Sequence, residues 1–398
     1  MGIRERRTRF TRGILAGLGA AVLLVAGTVT TVKAAPAAAE AAAFTVYMAP
    51  AGAGGSDASD GLSSDKAVAT LPRVQQVLQQ QKPTTDVEVR IKQGTYIAPP
   101  FHEWRFYVPG HKVSFMPIDY VPGQGVPAGG LPVFKNAKCG TAYCAGFWLQ
   151  PRLPRDTGDP LYGGGDSNLD FRYLQVEYYS AGGVSVYGDS ERDVTDENYN
   201  PPLQVRGSKG LNHNTFFGMQ FRNLGSKWSG GSTFGYGGIV LTNSSNNRVE
   251  NSHFINIENA APYQGNIHGL YITHFSSNNQ VVRNKFSYVS GYVVKSRNMS
   301  NYNSIEYNDI TRAGRASYYR GEFCDTQCAI DNKISRQCAS YHDRFFNNTI
   351  HSGYSGGQIS TWSLSPEGLT NAGGTPCAIP AGEQRVLTGG NSSYSGTR

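Results

Sequence analysis

Basic and aromatic side chains that could act on an anionic sugar lie close together in the last third of the chain. Val294, Lys295, Ser296 and Arg297 alternate in the way that places every second side chain on the same side of a strand. Cations of this kind stabilise negative charge that develops beside a carboxylate. Lys, Arg, Tyr and His can also move the protons of such a reaction. The cluster predicts a site that removes the C5 proton of a uronic acid and expels the 4-oxygen by β-elimination.

Four further residues are candidates for contacting the same sugar. His268, Tyr271 and His274 lie in a strand-like segment that precedes Lys295 in the chain, and Tyr318 follows it. Tyr271 could stack on a sugar ring, whereas Tyr318 or His268 could supply the proton that the leaving oxygen takes. The alternative is that each is a structural residue at a bend of the chain.

Three carboxylates support a different reaction. Glu322, Asp325 and Asp331 lie near a short Cys324 to Cys328 loop. A pair of such acids could hydrolyse a glycosidic bond. The sequence therefore leaves open a glycoside hydrolase, a C5 epimerase that removes the same proton, and a non-catalytic glycan-binding surface protein.

A repeat of about two dozen residues must position these side chains. Glycine-led apolar segments begin at Gly269 and Gly291, and Asn-x-apolar triplets begin at Asn284 and Asn308. Repeats of this length with short strands and no helix predict an all-β, right-handed parallel β-helix, and asparagine amides suit its bends. Aligning the glycines predicts Leu270, Ile272 and Val294 inside the coil and Tyr271, Thr273, Lys295 and Arg297 outside. The same alignment predicts Tyr318 beside Lys295 and Arg320 beside Arg297.

The N-terminal part of the folded chain contains a short helix. Residues 70–81 place Val74, Val77 and Leu78 on one face, with Thr70 as the N-cap, and Val87 to Ile91 alternates as a strand. This block resembles the entrance of secreted parallel β-helix enzymes of the pectate-lyase-like superfamily. The resemblance implies that the helix caps the open end of the solenoid.

The segment from Val294 to Asn301, with Arg320 and Gly321, resembles a motif pair of one polysaccharide lyase family. That family contains alginate lyases and chondroitin-B-type lyases. The resemblance implies that Lys295 is the base and that Arg320, helped by Arg297, neutralises charge or assists the leaving group. No His stands between Arg320 and Gly321, and Tyr292 to Val294 replace the family's calcium-binding acids. Calcium is thus an open question, and no cofactor or metal ligand is assigned.

The beginning of the sequence reads as an export signal. Five arginines precede an uncharged apolar run at 14–32 and a small-residue cleavage pattern, which predicts a signal peptide at 1–34 and an Ala-rich linker at 35–43. We expect the β-helix at 44–385, a flexible tail at 386–398, no stable membrane anchor, and a secreted, extracellular monomer.

Charge and cysteine content narrow the partners. Six of the 36 Lys and Arg and one of the 29 Asp and Glu lie in residues 1–34, so the remainder has 30 basic and 28 acidic residues. This near balance of charge argues against nucleic acid as a partner, and the site predicts an acidic polysaccharide as the partner.

The six cysteines suit disulfides in an exported chain. We favour the pairs 139–144, 324–328 and 338–377 among the 15 pairings.

Overall fold

The computed structural model describes residues 42–189, 191–196, 199–231, 234–366 and 377–393. The predicted signal peptide and residues 35–41 of the predicted linker lie outside these ranges. Within them, no helix is long and apolar enough to cross a membrane.

Three long sheets, A, B and C, carry most of the described chain. The ten strands of sheet A are Phe44–Met48, Val87–Ile91, Val113–Pro117, Leu169–Arg172, Thr215–Phe217, Arg248–Glu250, Gln280–Val282, Ser304–Glu306, Asp343–Phe346 and Val386–Gly389. The nine strands of sheet B are Thr95–Ile97, Val133–Lys135, Gln175–Glu177, Gln220–Leu224, His253–Ile257, Lys285–Val289, Asp309–Ala313, Thr349–Ile350 and Ser392–Ser393. The eight strands of sheet C are Phe101–Trp104, Phe147–Pro151, Gly182–Tyr187, Gly237–Thr242, His268–Thr273, Val294–Arg297, Ser317–Glu322 and Ser360–Ser365.

Short elements interrupt the coils. The α-helices are Leu71–Gln81, Ser226–Ser229 and Thr326–Asn332, and the 3-10 helices are Ala51–Ala53, Ser64–Lys66 and Gln264–Asn266. Lys138–Cys139 pairs antiparallel with Ala142–Tyr143, and Glu191–Asp196 with Tyr199–Arg206, whereas Gly165–Asp166 pairs parallel with Leu211–Asn212. We call the segment 191–206 the hairpin.

Successive coils pair in parallel, and the chain visits sheets A, B and C in turn. Gln280–Val282, Lys285–Val289 and Val294–Arg297, for example, form one coil, and each pairs in parallel with the corresponding strand of the next. The chain is therefore a parallel β-helix, and the predicted architecture is confirmed.

The interior of the coils is filled by side chains that stack from one coil to the next. Leu270, Ile272 and Val294 are fully buried, as the sequence predicts. The recurrent glycines of sheet C make room for phenylalanines of sheet B, because a Cβ at Gly269 would lie 2.6 Å from the ring of Phe286.

Asparagines occupy bends of the coils, as the sequence predicts, and their side chains form two hydrogen-bonded ladders. Asn214, Asn247, Asn279 and Asn303 each donate a side-chain amide hydrogen bond to the next member, and Asp343 accepts from Asn303. A second column joins residues 284, 308, 348 and 391. These bonds satisfy buried amides and fix the register of neighbouring coils.

The predicted capped helix and disulfides are present, whereas the predicted tail contains two strands. Thr70 caps the helix Leu71–Gln81 by accepting a hydrogen bond from the Arg73 amide. All three favoured disulfides are present. The predicted tail at 386–398 begins too early, because Val386–Gly389 pairs with Asp343–Phe346 and Ser392–Ser393 pairs with Thr349–Ile350.

Asp343 makes the stability of the fold depend on pH. It is fully buried, and burial raises its pKa to about 6 from 3.8, although hydrogen bonds from Ser296, Asn303 and Tyr319 oppose the rise. The folded state therefore binds more protons than the unfolded state between these values. The resulting stabilisation is complete below the unfolded pKa and is lost as pH rises through about 6.

We predict that Asp343→Asn raises the free energy of unfolding by about 1–3 kcal/mol at neutral pH, because Asn continues the ladder without a buried charge. Thermal unfolding of both proteins from about pH 4 to pH 8 measures this. The gain should vanish at the acidic end. A variant that melts below the wild type at neutral pH contradicts the interpretation.

Candidate functional site

The outer face of sheet C brings the predicted cationic residues together in two columns. Register pairing aligns Tyr271, Lys295, Arg320 and Ser363 in one column, and Thr273, Arg297, Glu322 and Ser365 in the next. Neighbouring members lie on strands about 4.8 Å apart. The face is therefore a short strip of cations, one carboxylate and a tyrosine.

The predicted register was wrong by two residues after Gly314. Arg320 lies opposite Lys295 and not opposite Arg297, whose partner is Glu322. Two more residues separate Gly314 from Arg320 than separate Gly291 from Lys295, and the extra length is taken up in the turn before Ser317–Glu322.

Glu322 is the counter-ion of this strip. Its carboxylate lies 3.0 Å from the Lys295 ammonium and 3.4 Å from the Arg320 guanidinium. Burial alone would raise the pKa of Glu322, but Lys295, Arg297 and Arg320 together hold it below its usual value. Three cations around one ionised carboxylate leave a net positive charge, which suits an anionic ligand.

Aromatic rings flank both central cations. The Lys295 ammonium lies 5.5 Å from the ring centre of Tyr271, and the Arg320 guanidinium 5.8 Å from that of Tyr292. These cation–π contacts favour fixed positions for the two charged groups. Tyr292 was not predicted as a site residue, since it precedes the regular alternation of its strand.

The His268 ring packs against both tyrosines. Its ring stacks on Tyr292 and meets Tyr271 edge to face, with ring centres 5.5 Å apart in both pairs. Burial, aided by Lys295, lowers the pKa of His268 well below its usual value. The ring is therefore neutral, and because Nδ1 accepts a hydrogen bond from the Tyr292 amide, Nε2 carries the proton. A neutral imidazole is a weak acid, so this geometry favours a positioning role.

Arg297 and His274 lie at the end of the strands, away from this centre. Arg297 donates to Gln337 at 2.7 Å, and Gln337 in turn donates to Gln204 of the hairpin. His274 contacts the Thr273 hydroxyl, and burial, with a contribution from Arg297, lowers its pKa to about 4. Arg297 thus ties the hairpin to the edge of the strip and adds its charge to Glu322.

Tyr318 is not on the strip, contrary to prediction. Its carbonyl accepts a hydrogen bond from the amide of the fully buried Val293, and Tyr318 itself is only 1 % exposed. Its hydroxyl approaches Gln358 at 3.4 Å.

The other two candidate acids serve the local fold. Asp325 is the N-cap of Thr326–Asn332 and accepts from the Cys328 amide, and Asp331 accepts from Gln327. Of the three candidate carboxylates, Glu322 is thus the one that belongs to the strip.

Residues 292–294 lack the acidic side chains that bind calcium in the lyase family that this sequence resembles. Tyr292, Val293 and Val294 offer no carboxylate there, and among the described residues no group of three or more His, Cys, Asp and Glu could hold a metal ion. Asp57, an acid of the N-terminal loop, instead accepts hydrogen bonds from the amides of Ala69 and Thr70.

Comparisons with known proteins concern the fold. A scan of protein-family models gave no match, and a search of curated proteins gave none either. Among solved structures, the chain is similar to an alginate lyase from Paenibacillus sp. str. FPU-7, with a TM-score of 0.43 and 12% identity over 82% of this chain and 94% of that chain. A rhamnogalacturonan lyase has a TM-score of 0.37 and 13% identity over 87% of each chain.

A Family 28 exopolygalacturonase from Yersinia enterocolitica is also similar, with a TM-score of 0.33 and 12% identity over 78% of this chain and 59% of that chain. A fold by itself does not assign a function, because function lies in the site.

We predict that Glu322→Gln destabilises the protein by about 1–2 kcal/mol, because three cations lose their shared counter-ion. The loss should shrink at about 0.5 M salt, which screens the repulsion. Thermal unfolding at low and high salt measures both effects. The matched control is Glu306→Gln, since Arg344, at 2.9 Å, is the one ion-pair partner of Glu306 within the described part of the chain. Equal effects of the two substitutions would show that Glu322 is an ordinary surface acid.

Proposed function

We propose that this chain is a secreted polysaccharide lyase that cleaves a uronic-acid-containing polysaccharide by β-elimination. The observation that carries the proposal is the register pair of Lys295 and Arg320, which share Glu322 and each contact a tyrosine ring. The excess positive charge suits a uronate carboxylate. The three disulfides and the sequence signals of export support action outside the cell.

Arg320 is the proposed partner of the substrate carboxylate. A guanidinium stays charged at all accessible pH values and can bind both carboxylate oxygens. Neutralising the carboxylate stabilises the enolate-like charge that develops when C5 loses its proton. Arg297 contributes charge from the neighbouring column, although its Nε is already engaged by Gln337.

Lys295 is the proposed base. Of the three cations of the strip, lysine alone can lose a proton within the working range of an enzyme. The side chain is 15% exposed, so a bound sugar would complete its removal from water. Glu322, whose carboxylate lies 3.0 Å from the Lys295 nitrogen, positions the side chain.

Tyr271 is the proposed proton donor to the leaving oxygen, in place of Tyr318, which is buried. The C5–H electron pair forms the C4–C5 double bond as the C4–O4 bond breaks. Lys295 takes the C5 proton and the Tyr271 hydroxyl protonates O4. The resulting lysine ammonium then lies beside the tyrosinate and can return the proton, so the site is restored without a cofactor.

The hydrolase alternative has less support. A hydrolase needs two carboxylates flanking the bond, and Asp325 and Asp331 are engaged in the local fold. An epimerase would use the same base. A lyase and an epimerase are distinguished by their products, because an epimerase leaves the length of the polysaccharide unchanged.

We predict that Lys295→Ala lowers the rate of formation of unsaturated uronate by about 10²–10⁴-fold, since it removes the base. The assay follows ultraviolet absorbance with alginate, pectate, glucuronan and glycosaminoglycans, each with and without calcium. The matched control is Lys285→Ala, an exposed lysine of sheet B that should retain full activity. Wild-type activity that survives in Lys295→Ala contradicts the assignment, and new saturated reducing ends would indicate hydrolysis.

We predict that Tyr271→Phe lowers kcat by about 10²-fold or more while KM changes little, because the ring remains and only the proton donor is lost. Steady-state kinetics on the substrate found above measure the split. A change in KM with unchanged kcat would instead make Tyr271 a binding residue.

A further inference from the structure

Four aromatic side chains form a continuous row beside the edge at which the strands of sheet C begin. Phe147 stacks on Tyr236 with ring centres 6.2 Å apart, Tyr236 meets Phe234 at 5.4 Å, and Phe234 stacks on Tyr263 at 5.1 Å. We call Phe147, Phe234, Tyr236 and Tyr263 the aromatic row. No role in the chemistry proposed above is assigned to it.

Hydrogen bonds hold the segments that carry the row in place. The Tyr236 amide donates to Ala181 and its carbonyl accepts from the His268 amide, so Tyr236 continues the ladder of sheet C by one residue. The buried amide of Asn259 accepts from the Gly235 amide and donates to the Tyr263 carbonyl. These bonds place Phe234 and Tyr263 together before any ligand arrives.

The rings are nevertheless open to solvent. Tyr236 is 40% exposed and Tyr263 is 44% exposed, and Phe147 and Phe234 are partly exposed. A contiguous exposed patch of aromatic rings favours a binding surface over a purely structural cluster. Aromatic faces suit flat, partly apolar ligands whose hydroxyl groups remain in water.

The row adjoins the candidate site and extends along the solenoid axis. Its Tyr236 carbonyl is bonded to His268, the residue that stacks on Tyr292 beside Arg320. Tyr236 immediately precedes Gly237–Thr242, which is two strands along sheet C from the strand of Lys295. Phe147 begins Phe147–Pro151, which is four strands along from it. Measured along the solenoid axis alone, at about 4.8 Å per strand, Tyr236 and Phe147 lie about 10 Å and about 19 Å from Lys295, the length of a few sugar units.

We propose that the aromatic row is a stacking platform for pyranose rings, which binds the part of an extended polysaccharide several units from the reacting sugar. This inference rests on the proposed function, because it assigns the same ligand to the adjoining surface. It also gives the substrate a minimum length: a short oligosaccharide reaches Lys295 and Arg320 only, whereas a longer one reaches both surfaces.

Tyr236→Ala combined with Tyr263→Ala tests the platform, made in the Lys295→Ala background so that the probe is not cleaved. The probes are alginate and polygalacturonate oligosaccharides of about three and about eight units. Calorimetry should show that affinity for the longer probe falls about tenfold and affinity for the shorter one is unchanged. The tenfold fall in affinity should persist at about 0.5 M salt, because stacking is not an ion-pair interaction.

Two further variants keep the test independent of folding. Tyr236→Phe with Tyr263→Phe retains the rings and should retain affinity. Tyr288→Ala with Tyr307→Ala removes two tyrosines of similar exposure, 45% and 56%, outside sheet C, and should have no effect. Equal losses in the two alanine pairs, equal losses for short and long probes, or no binding of either probe by the parent protein would overturn the platform.

The platform and the proposed chemistry can fail separately. Tyrosine-dependent binding of the long probe by a protein that releases no unsaturated product would support the platform and contradict the lyase. Unsaturated product that depends on Lys295, with unaltered affinity in the alanine pair, would support the lyase and contradict the platform.

Discussion

The parallel register between successive coils is the constraint on which the site depends. Lys295 and Arg320 are distant in sequence and meet only because their strands pair residue for residue. A slip of one residue between the two strands would turn one of these side chains into the core. The buried asparagine ladders oppose such a shift, since each amide bonds to the next coil and a slip would leave several buried polar groups unpaired.

The same register explains how a strongly cationic surface is stable without a ligand. Glu322 faces Arg297 across the strands and contacts Lys295 and Arg320, so one carboxylate offsets part of the repulsion among three cations. The remaining positive charge is available to a substrate. Structural stability and attraction of an anion therefore depend on the same few residues, and the tyrosines beside them restrict where the cations can lie.

The sequence predicts the architecture well because the β-helix repeats local signals. The glycine-led strand at Gly269, the bend asparagines and a capped helix each depend on residues close in sequence, and the structure confirms them, although the strand after Gly291 begins only at Val294. The sequence also predicts that Lys295 and Arg320 share one face. It does not predict which residues pair, since the length of the turn after Gly314 decides the register and turn lengths vary freely on a solenoid surface.

The errors at the site follow from that turn and from longer-range contacts. Tyr318 alternates as an outward residue, yet it is buried near the start of the strand Ser317–Glu322. Arg297 is held by Gln337 and the hairpin, and this contact joins residues far apart in the chain. The aromatic row is likewise assembled from the start of one strand and from two separate loops, so no short sequence pattern predicts it.

The most direct measurement of the central claim is mass spectrometry of the products formed from a uronic-acid oligosaccharide of known length. Elimination divides the substrate into fragments whose masses sum to its own, with one unsaturated end for each bond broken. The account predicts this result, and predicts that Lys295→Ala abolishes it. Fragments whose masses sum to the substrate plus one water for each bond broken would establish hydrolysis and contradict the assignment of Lys295 and Arg320.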